Sequence, residues 1–153
     1  MKKIFLTCLL LIPFTLMAQW NVVYWPSTLS NVLAVPSDSN IFITMGSKYI
    51  SYSHNGGKSW NQFETEYEYE FLEDMDFVSD SIGYTCGGGW FSPHRNIILK
   101  TTDAGITWQT ITRDSLGQFQ FVFSQIDFVN KDTGIVIGAY GDMFRTFDGG
   151  VSW

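Results

Sequence analysis

The sequence contains few side chains of the types and at the spacing that catalysis or metal binding requires. His54 and His94 lie 40 residues apart, and neither has a cysteine or a carboxylate at the spacing of a metal-ligand motif. We therefore expect neither a metal nor a cofactor. Cys86 lies in the segment GYTCG, in which alternate residues face one side of a strand. Because free cysteine is among the residue types most often buried, we predict a structural rather than a reactive thiol.

Two segments combine aromatic with charged or polar side chains, as recognition surfaces for sugars or protein segments do. The first, ETEYEYEF at 64–71, contains Tyr67 and Tyr69. Its alternation fits a half-buried strand with solvated glutamates equally well, and both interpretations stay open. The second is WFSPHR at 90–95, and we predict that it forms an exposed binding lip of four residues: Trp90, Phe91, His94 and Arg95.

The first 18 residues have the organisation of a secretory signal peptide. Lys2 and Lys3 precede an apolar run from Ile4 to Met17, and the small residue Ala18 follows. A membrane anchor is the alternative, but a spanning helix needs about 20 apolar residues, and this shorter run contains a proline. We predict cleavage after Ala18. The mature chain would then have no membrane span and would reach the periplasm, the cell surface or the medium.

The composition indicates an acidic domain rich in strands. The 153-residue chain has a formal net charge of −6, and the loss of Lys2 and Lys3 makes the mature chain more acidic. Nucleic acids and anionic membrane surfaces are poor partners for such a chain. Aromatic residues make up 17% of the sequence and there are 14 glycines, which favours strands and tight turns over helices.

Three octets in phase decide the predicted architecture. They are SHNGGKSW (53–60), TTDAGITW (101–108) and TFDGGVSW (146–153), and their tryptophans are 48 and 45 residues apart. This period is about the length of one four-stranded propeller blade. The residues that define the pattern share their place in each octet: Ser53, Asn55, Gly57 and Trp60; Thr101, Asp103, Gly105 and Trp108; Thr146, Asp148, Gly150 and Trp153.

The octet has the chemistry of a hairpin turn between the third and fourth strands of a blade. The Asn or Asp side chain can accept hydrogen bonds from N–H groups of the turn, and the glycine suits a backbone with positive φ. We expect the two hydroxyl residues to bond to each other across the strands, the tryptophan to cover the turn, and the fourth strand to begin at the tryptophan. The hydroxyl pairs are Ser53 with Ser59, Thr101 with Thr107, and Thr146 with Ser152.

A second repeat precedes the last two octets. Asp76-Phe77-Val78 and then Gly83 match Asp127-Phe128-Val129 and then Gly134, each at an offset of 51 residues. Because the tryptophans that follow are only 45 apart, blade two carries extra residues, which fall near 90–95. The strands predicted from both repeats lie near 31–36, 40–45, 48–53, 58–63, 71–78, 82–87, 97–102, 106–112, 119–129, 133–138 and 143–147.

These motifs resemble a known family. The octets resemble the Asp-box, or bacterial neuraminidase repeat, of sialidase-like propellers. The longer pattern is similar to the repeat of photosystem II stability and assembly factor-like propellers and covers most of 31–153. The resemblance implies an all-β propeller of four-stranded antiparallel blades, in which the Asp-box is a folding device away from any active site. The signal peptide also resembles those of Bacteroidota proteins.

The resemblance leaves two functions open. A secreted sialidase-like glycoside hydrolase would need an arginine cluster, a tyrosine nucleophile with a glutamate partner, and an acid/base aspartate. The chain has three arginines, Arg95, Arg113 and Arg145, and lacks the Arg-Ile-Pro motif in its first blade. We therefore favour a non-catalytic exported scaffold that binds a protein or a glycan. A third possibility, a role in the assembly of a membrane complex, rests only on analogy with the photosystem factors.

The predicted organisation is a signal peptide (1–18), an N-terminal strand (19–30) and a partial propeller (31–153) with blades at about 31–63, 71–112 and 119–153. The segment QWNVV (19–23) resembles SWNQF (59–63) and TWQTI (107–111), so it fits a ring-closing fourth strand, although a simple lead-in strand is the alternative. Since propellers have about 4 to 8 blades, we expect further blades in a longer chain, or several chains in one ring.

Overall fold

The computed structural model describes residues 32–45, 48–66, 70–89, 96–113, 122–138 and 141–153. Regular structure in these ranges consists of eleven β-strands: β1 (Leu33–Ala34), β2 (Ile41–Met45), β3 (Tyr49–Ser53), β4 (Asn61–Glu64), β5 (Glu70–Phe77), β6 (Gly83–Gly89), β7 (Asn96–Thr101), β8 (Gln109–Arg113), β9 (Phe123–Phe128), β10 (Gly134–Gly138) and β11 (Met143–Thr146). Within them no helix is long and apolar enough to cross a membrane.

The strands form three antiparallel sheets in chain order. Blade 1 contains β1 to β4, blade 2 contains β5 to β8, and blade 3 contains β9 to β11. Within each blade, every strand pairs with the strand that follows it in sequence. The three blades share one register, in which the first residue of each octet pairs with the first residue of the second strand of its blade. These pairs are Ile41 with Ser53, Gly83 with Thr101, and Gly134 with Thr146. The three sheets are therefore copies of one unit, and the predicted all-β, blade-by-blade fold is confirmed.

Each predicted strand is present, and the differences lie at strand ends. The prediction that the fourth strand begins at the octet tryptophan is wrong, because β4 begins at Asn61 and β8 at Gln109, one residue later. The octet's own hydrogen bonds hold the preceding residues in the turn. β1 is limited to Leu33–Ala34, because residues 36–39 bend. The predicted strand at 119–129 is seen as Phe123–Phe128, and 119–121 lie outside the described residues.

The second sequence repeat has a direct packing explanation. The ring of Phe77 lies on Gly83 of the neighbouring strand, where an added Cβ would be 2.6 Å from a ring carbon. Phe128 covers Gly134 in the same way, at 2.5 Å. A side chain at either glycine would displace the phenylalanine, which is why the repeat pairs Asp-Phe-Val with a glycine five residues after the valine.

The blades pack face to face through two apolar cores. We call the side that a blade turns towards the next blade in the chain its front face, and the opposite side its back face. One core joins the front of blade 1 to the back of blade 2: Val32, Phe42, Ile50, Leu72, Met75, Ile97, Leu99 and Trp108. The other joins the front of blade 2 to the back of blade 3: Tyr84, Cys86, Ile98, Phe123, Ile126, Phe128 and Val136. Burial of each large apolar side chain stabilises the fold by about 1.5–3 kcal/mol.

Candidate functional site

The octet turns share one hydrogen-bond arrangement. In the second octet the Thr101 hydroxyl accepts from the N–H groups of Asp103 (3.3 Å) and Gly105 (2.9 Å), and it donates to the Asp103 carboxylate (2.9 Å). That carboxylate also accepts from the Thr107 N–H at 2.9 Å. The octets that begin at Ser53 and Thr146 have the same contacts. The predicted hairpin turns are therefore present between β3 and β4 and between β7 and β8.

The backbone of each octet enters the left-handed region. The φ angles of Gly57, Gly105 and Gly150 are 83°, 75° and 89°. A Cβ at Gly105 would also lie 2.2 Å from the Phe42 ring of blade 1, so this glycine is required both by its φ and by the close approach of the two blades. Ala104 has φ 61° where the other octets have glycine, which is an unfavourable backbone for a residue with a Cβ.

The hydroxyl pairs do not bond to each other as predicted. Both hydroxyls of the second octet bond to Asp103, and the Thr107 hydroxyl donates to the second carboxylate oxygen at 2.6 Å. The carboxylate lies between the two strands and offers two acceptor oxygens, so it takes both donors. In the first octet the corresponding hydrogen bond runs in the opposite direction, because the Asn55 amide donates to the Ser59 hydroxyl at 2.8 Å.

These bonds set the acidity of the two octet carboxylates. For Asp103, burial acts to raise the pKa, but the hydrogen bonds from Thr107 and Thr101 outweigh it and leave the pKa below its ordinary value. For Asp148, hydrogen bonds from the Ser152 hydroxyl and N–H and from Thr146 lower the pKa to about 2. Asn55 cannot ionise, so the first octet has no such dependence on pH.

The tryptophans of the second and third octets join the cores between blades: Trp108 belongs to the first core, and Trp153 packs against the second. Trp108 is 7% exposed and meets the Phe77 ring edge-on at 6.0 Å, and Trp153 meets Phe128 edge-on at 6.1 Å. The Trp60 indole donates to the Gly57 carbonyl at 3.1 Å, whereas the indole N–H groups of Trp108 and Trp153 are buried without a partner. The two unpartnered rings therefore contribute through apolar contact.

The junction of blades 2 and 3 adds polar contacts to its core. Tyr84 stacks on Phe128 with centroids 3.6 Å apart, and its hydroxyl donates to the Lys131 carbonyl at 2.7 Å. The Lys100 ammonium donates to the Gly149 carbonyl at 3.1 Å. Burial, followed by the charge of Asp132, raises the pKa of Tyr84 to about 12, so its hydroxyl keeps its proton at neutral pH.

Two carboxylates of β5 bind the open edge of β9. Asp74 accepts from its neighbour's N–H at Met75 (2.9 Å) and from the Ile126 N–H of blade 3 (2.9 Å), and Asp76 accepts from the Phe128 N–H at 2.8 Å. Burial raises the pKa of Asp76 despite the hydrogen bond from Phe128. These N–H groups point away from β10, so the carboxylates satisfy donors that the sheet leaves unpaired.

The junction of blades 1 and 2 is closed mainly by apolar contact. Phe42 stacks on Phe77 with centroids 4.4 Å apart. By register, Ala34 occupies the position of Asp76, since Ala34 pairs with Phe42 as Asp76 pairs with Tyr84. A methyl group accepts no hydrogen bond. One polar link across this junction is the Asn40 amide, which donates to the Asp80 carbonyl at 3.3 Å.

Cys86 is fully buried in the second core, as predicted. Burial, followed by the charges of Asp74 and Glu73, raises the pKa of its thiol well above the ordinary value. The thiol is therefore protonated and inaccessible, which agrees with a structural role.

A groove of about 400 Å³ lies between the last strand of blade 1 and blade 2. Phe63 and Trp108 are its aromatic lining residues, and the exposed residue Glu66 lines it as well. Glu64 also lines the groove and forms an ion pair with Lys48 at 2.6 Å. Aromatic lining residues beside a carboxylate can bind an apolar segment that carries a cation.

The predicted recognition residues cannot be placed. Tyr67, Tyr69, Trp90, Phe91, His94 and Arg95 lie outside the described residues, as do the predicted signal peptide (1–18) and N-terminal strand (19–30). Sequence reasoning missed Asp74, Tyr84 and Lys100, which link blades 2 and 3. For this junction the sequence offered one signal, which was the aspartate of the Asp-Phe-Val repeat, present as Asp76 and again 51 residues later as Asp127.

No family model and no curated protein matches this chain. Among solved structures it is similar to YCF48 bound to D1 peptide, with a TM-score of 0.68 and 18% identity over 84% of this chain and 40% of that chain. It is also similar to YCF48 from Cyanidioschyzon merolae, with a TM-score of 0.66 and 14% identity over 86% of this chain and 41% of that chain. This chain thus spans about 40% of the length of these structures. The likeness supports the propeller fold.

Proposed function

We propose that this protein is an exported, non-catalytic β-propeller scaffold that binds a segment of another protein. The observation that carries the proposal is the groove between blades 1 and 2, in a fold similar to that of YCF48 bound to D1 peptide. We also propose that the octets are Asp-boxes of the sialidase-like superfamily, because the Asn or Asp side chain of each octet forms hydrogen bonds within its own turn. The carboxylates of Asp103 and Asp148 are engaged there as acceptors.

One of the three arginines that a sialidase could use has other surroundings here. Arg145 lies 4.3 Å over the Phe147 ring on the surface of blade 3. The chemistry of the groove, with Phe63, Trp108 and Glu66, favours a peptide that presents an apolar side chain next to a lysine or arginine. A glycan could also use this surface, because it can stack on aromatic rings and donate its hydroxyl groups to the carboxylate.

A peptide-display screen tests this function. We expect the purified chain to enrich peptides with a basic residue beside an apolar one, and we expect Glu66→Lys to weaken binding of the best peptide about tenfold or more. Asp38→Lys is the matched control, because it reverses the same charge at an exposed site outside the groove. No enrichment, or equal binding by both variants, would contradict the groove. Turnover of a fluorogenic sialoside would contradict the non-catalytic role.

The lip predicted at 90–95 is a second candidate surface. Changing Trp90 and Phe91 to serine should reduce peptide binding and leave the thermal midpoint nearly constant if both side chains are exposed. Truncation of packed aromatics costs about 3–5 kcal/mol, so a large drop in the midpoint would assign them to the core. Unchanged binding with unchanged stability would leave an ordinary variable loop.

Export has its own test. We propose a secreted, periplasmic or cell-surface location after removal of residues 1–18. Mass spectrometry of the chain from an exporting bacterial host should find a mature protein that begins at Gln19. A cytosolic chain that retains Met1 to Ala18 would contradict this.

A further inference from the structure

The first octet differs from the other two in the side chain that forms its turn. Asn55 is an amide, whereas Asp103 and Asp148 are carboxylates, and Asn55 is the one asparagine of the sequence that a glycine follows. An Asn-Gly pair is open to deamidation, because a glycine has no Cβ to hinder attack by its backbone nitrogen on the asparagine side chain. Asn55 and Gly56 are both exposed, so water reaches the pair.

Deamidation proceeds in two steps. The backbone nitrogen of Gly56 attacks Cγ of Asn55, so that a nitrogen–carbon bond forms, the Cγ–Nδ2 bond breaks, and the side-chain nitrogen takes the amide proton and leaves as ammonia. Water then opens the cyclic imide. Opening at the side-chain carbonyl gives aspartate, and opening at the backbone carbonyl gives isoaspartate, which has one more carbon in the main chain and one fewer in the side chain.

The folded octet holds the groups that the first step needs. The Gly56 N–H donates to the Ser39 carbonyl at 3.0 Å, which opposes loss of the proton from the attacking nitrogen. The Asn55 amide oxygen accepts from the Ser53 hydroxyl (3.0 Å) and the Ser59 N–H (2.9 Å). The Asn55 amide nitrogen donates to the Ser59 hydroxyl at 2.8 Å. Rotation of the side chain towards the Gly56 nitrogen breaks these bonds, so deamidation requires local opening of the turn.

The other octets show which product the turn can accept. The Asp103 carboxylate accepts from the Thr107 N–H at 2.9 Å and from the Thr107 hydroxyl at 2.6 Å. An aspartate at position 55 would have the same partners, because the Ser59 hydroxyl only has to turn its proton towards the new oxygen. Isoaspartate would not, because its side chain is one carbon shorter and it lengthens the main chain between the Ser53 hydroxyl and the Gly57 N–H that this hydroxyl binds.

We propose that Asn55 is a deamidation site that the first octet protects while its turn is closed. Opening of the turn frees the Gly56 nitrogen and the Asn55 amide together. Aspartate then restores the octet in the form found in blades 2 and 3, whereas isoaspartate leaves a chain in which this octet cannot close. The modification therefore records past opening of blade 1 at the turn between β3 and β4.

Mass spectrometry of the peptide that contains Asn55 measures deamidation in the purified protein incubated at mildly alkaline pH. We expect the folded protein to react at least about tenfold more slowly than the same protein in urea. Ser59→Ala removes the acceptor of the Asn55 amide and should raise the rate in the folded protein about two- to tenfold, with unchanged far-ultraviolet circular dichroism. Thr107→Ala is the matched control, because it removes the equivalent hydroxyl of the second octet and should leave the rate unchanged.

Two further variants test the site and the product. Gly56→Ala should slow the reaction in urea several-fold, and Ala104 shows at φ 61° that an octet accepts alanine at this position. Asn55→Asp should keep the thermal midpoint at neutral pH. Equal rates with and without urea, or a rate that Ser59→Ala fails to raise above that of Thr107→Ala, would overturn the protection by the turn. A clearly lowered midpoint for Asn55→Asp would overturn the assignment of aspartate as the product that the octet accepts.

Discussion

The two blade junctions stack aromatic rings at corresponding strand positions but use different chemistry. At the junction of blades 1 and 2 the stacked pair is Phe42 on Phe77, and Ala34 stands where a carboxylate could bind the next strand. At the junction of blades 2 and 3, Tyr84 stacks on Phe128, and Asp76 binds a backbone N–H. Blades therefore stack through buried aromatic rings at both junctions, and only at the second do the described carboxylates also bind the edge of the next strand.

The largest expected effect is at the apolar junction. Phe42→Ala should lower the free energy of unfolding by about 3–5 kcal/mol, because the ring is fully buried against Phe77 and Gly105. Urea denaturation measures the change, and Ile106→Ala on the surface serves as the control. A loss below about 1 kcal/mol would mean that blade 1 is not coupled to blade 2 through this ring.

A smaller effect is expected at the polar junction. Asp76→Ala should cost about 1–3 kcal/mol, because it leaves the Phe128 N–H without its acceptor. Asp76→Asn keeps an acceptor oxygen at the same place and should cost less than half as much. Equal losses in the two variants would show that charge, rather than the hydrogen bond, is what the junction uses.

Within one blade, the octet turn should contribute less again. Asp103→Ala removes the acceptor for the Thr107 N–H and for two hydroxyls, and we expect a loss of about 1–2 kcal/mol. Thermal unfolding measures it. An unchanged midpoint in a folded variant would contradict the folding role of the octet.

The smallest effect is the dependence of stability on pH. Its sign should differ between the octet turns and the junction of blades 2 and 3. The lowered pKa values of Asp103 and Asp148 give stability that is present above pH about 4 and lost as the pH falls through the folded values, about 2 for Asp148. Denaturation midpoints between pH 5 and about 2 should fall less steeply in the double variant Asp103→Asn with Asp148→Asn.

Asp76 should act in the opposite direction. Its raised pKa gives stability that is present below its ordinary value of 3.8 and is lost as the pH rises through the folded value. Asp76→Asn should therefore gain stability relative to the wild type as the pH rises above about 4. A parallel pH profile for the two proteins would contradict the burial of this carboxyl.

Sequence reasoning predicted what depends on local chemistry. The octets and their positive-φ glycines follow from turn residues at fixed offsets, and the strands follow from the repeat period. The contacts between blades do not, because Asp76 and the Phe128 N–H are 52 residues apart in sequence and nothing local indicates which side chain faces the next blade. The groove likewise joins Phe63 to Trp108, which belong to different blades.

Amide hydrogen exchange at Phe128 tests most directly that side-chain carboxylates of one blade close the strand edge of the next. The Phe128 N–H points away from β10 and is bound by Asp76. We predict slow exchange in the wild type and exchange at least about tenfold faster in Asp76→Ala, with the Val129 N–H, which donates to the Thr133 carbonyl, unchanged. Fast exchange of Phe128 in the wild type, or equal acceleration at both amides, would contradict the account.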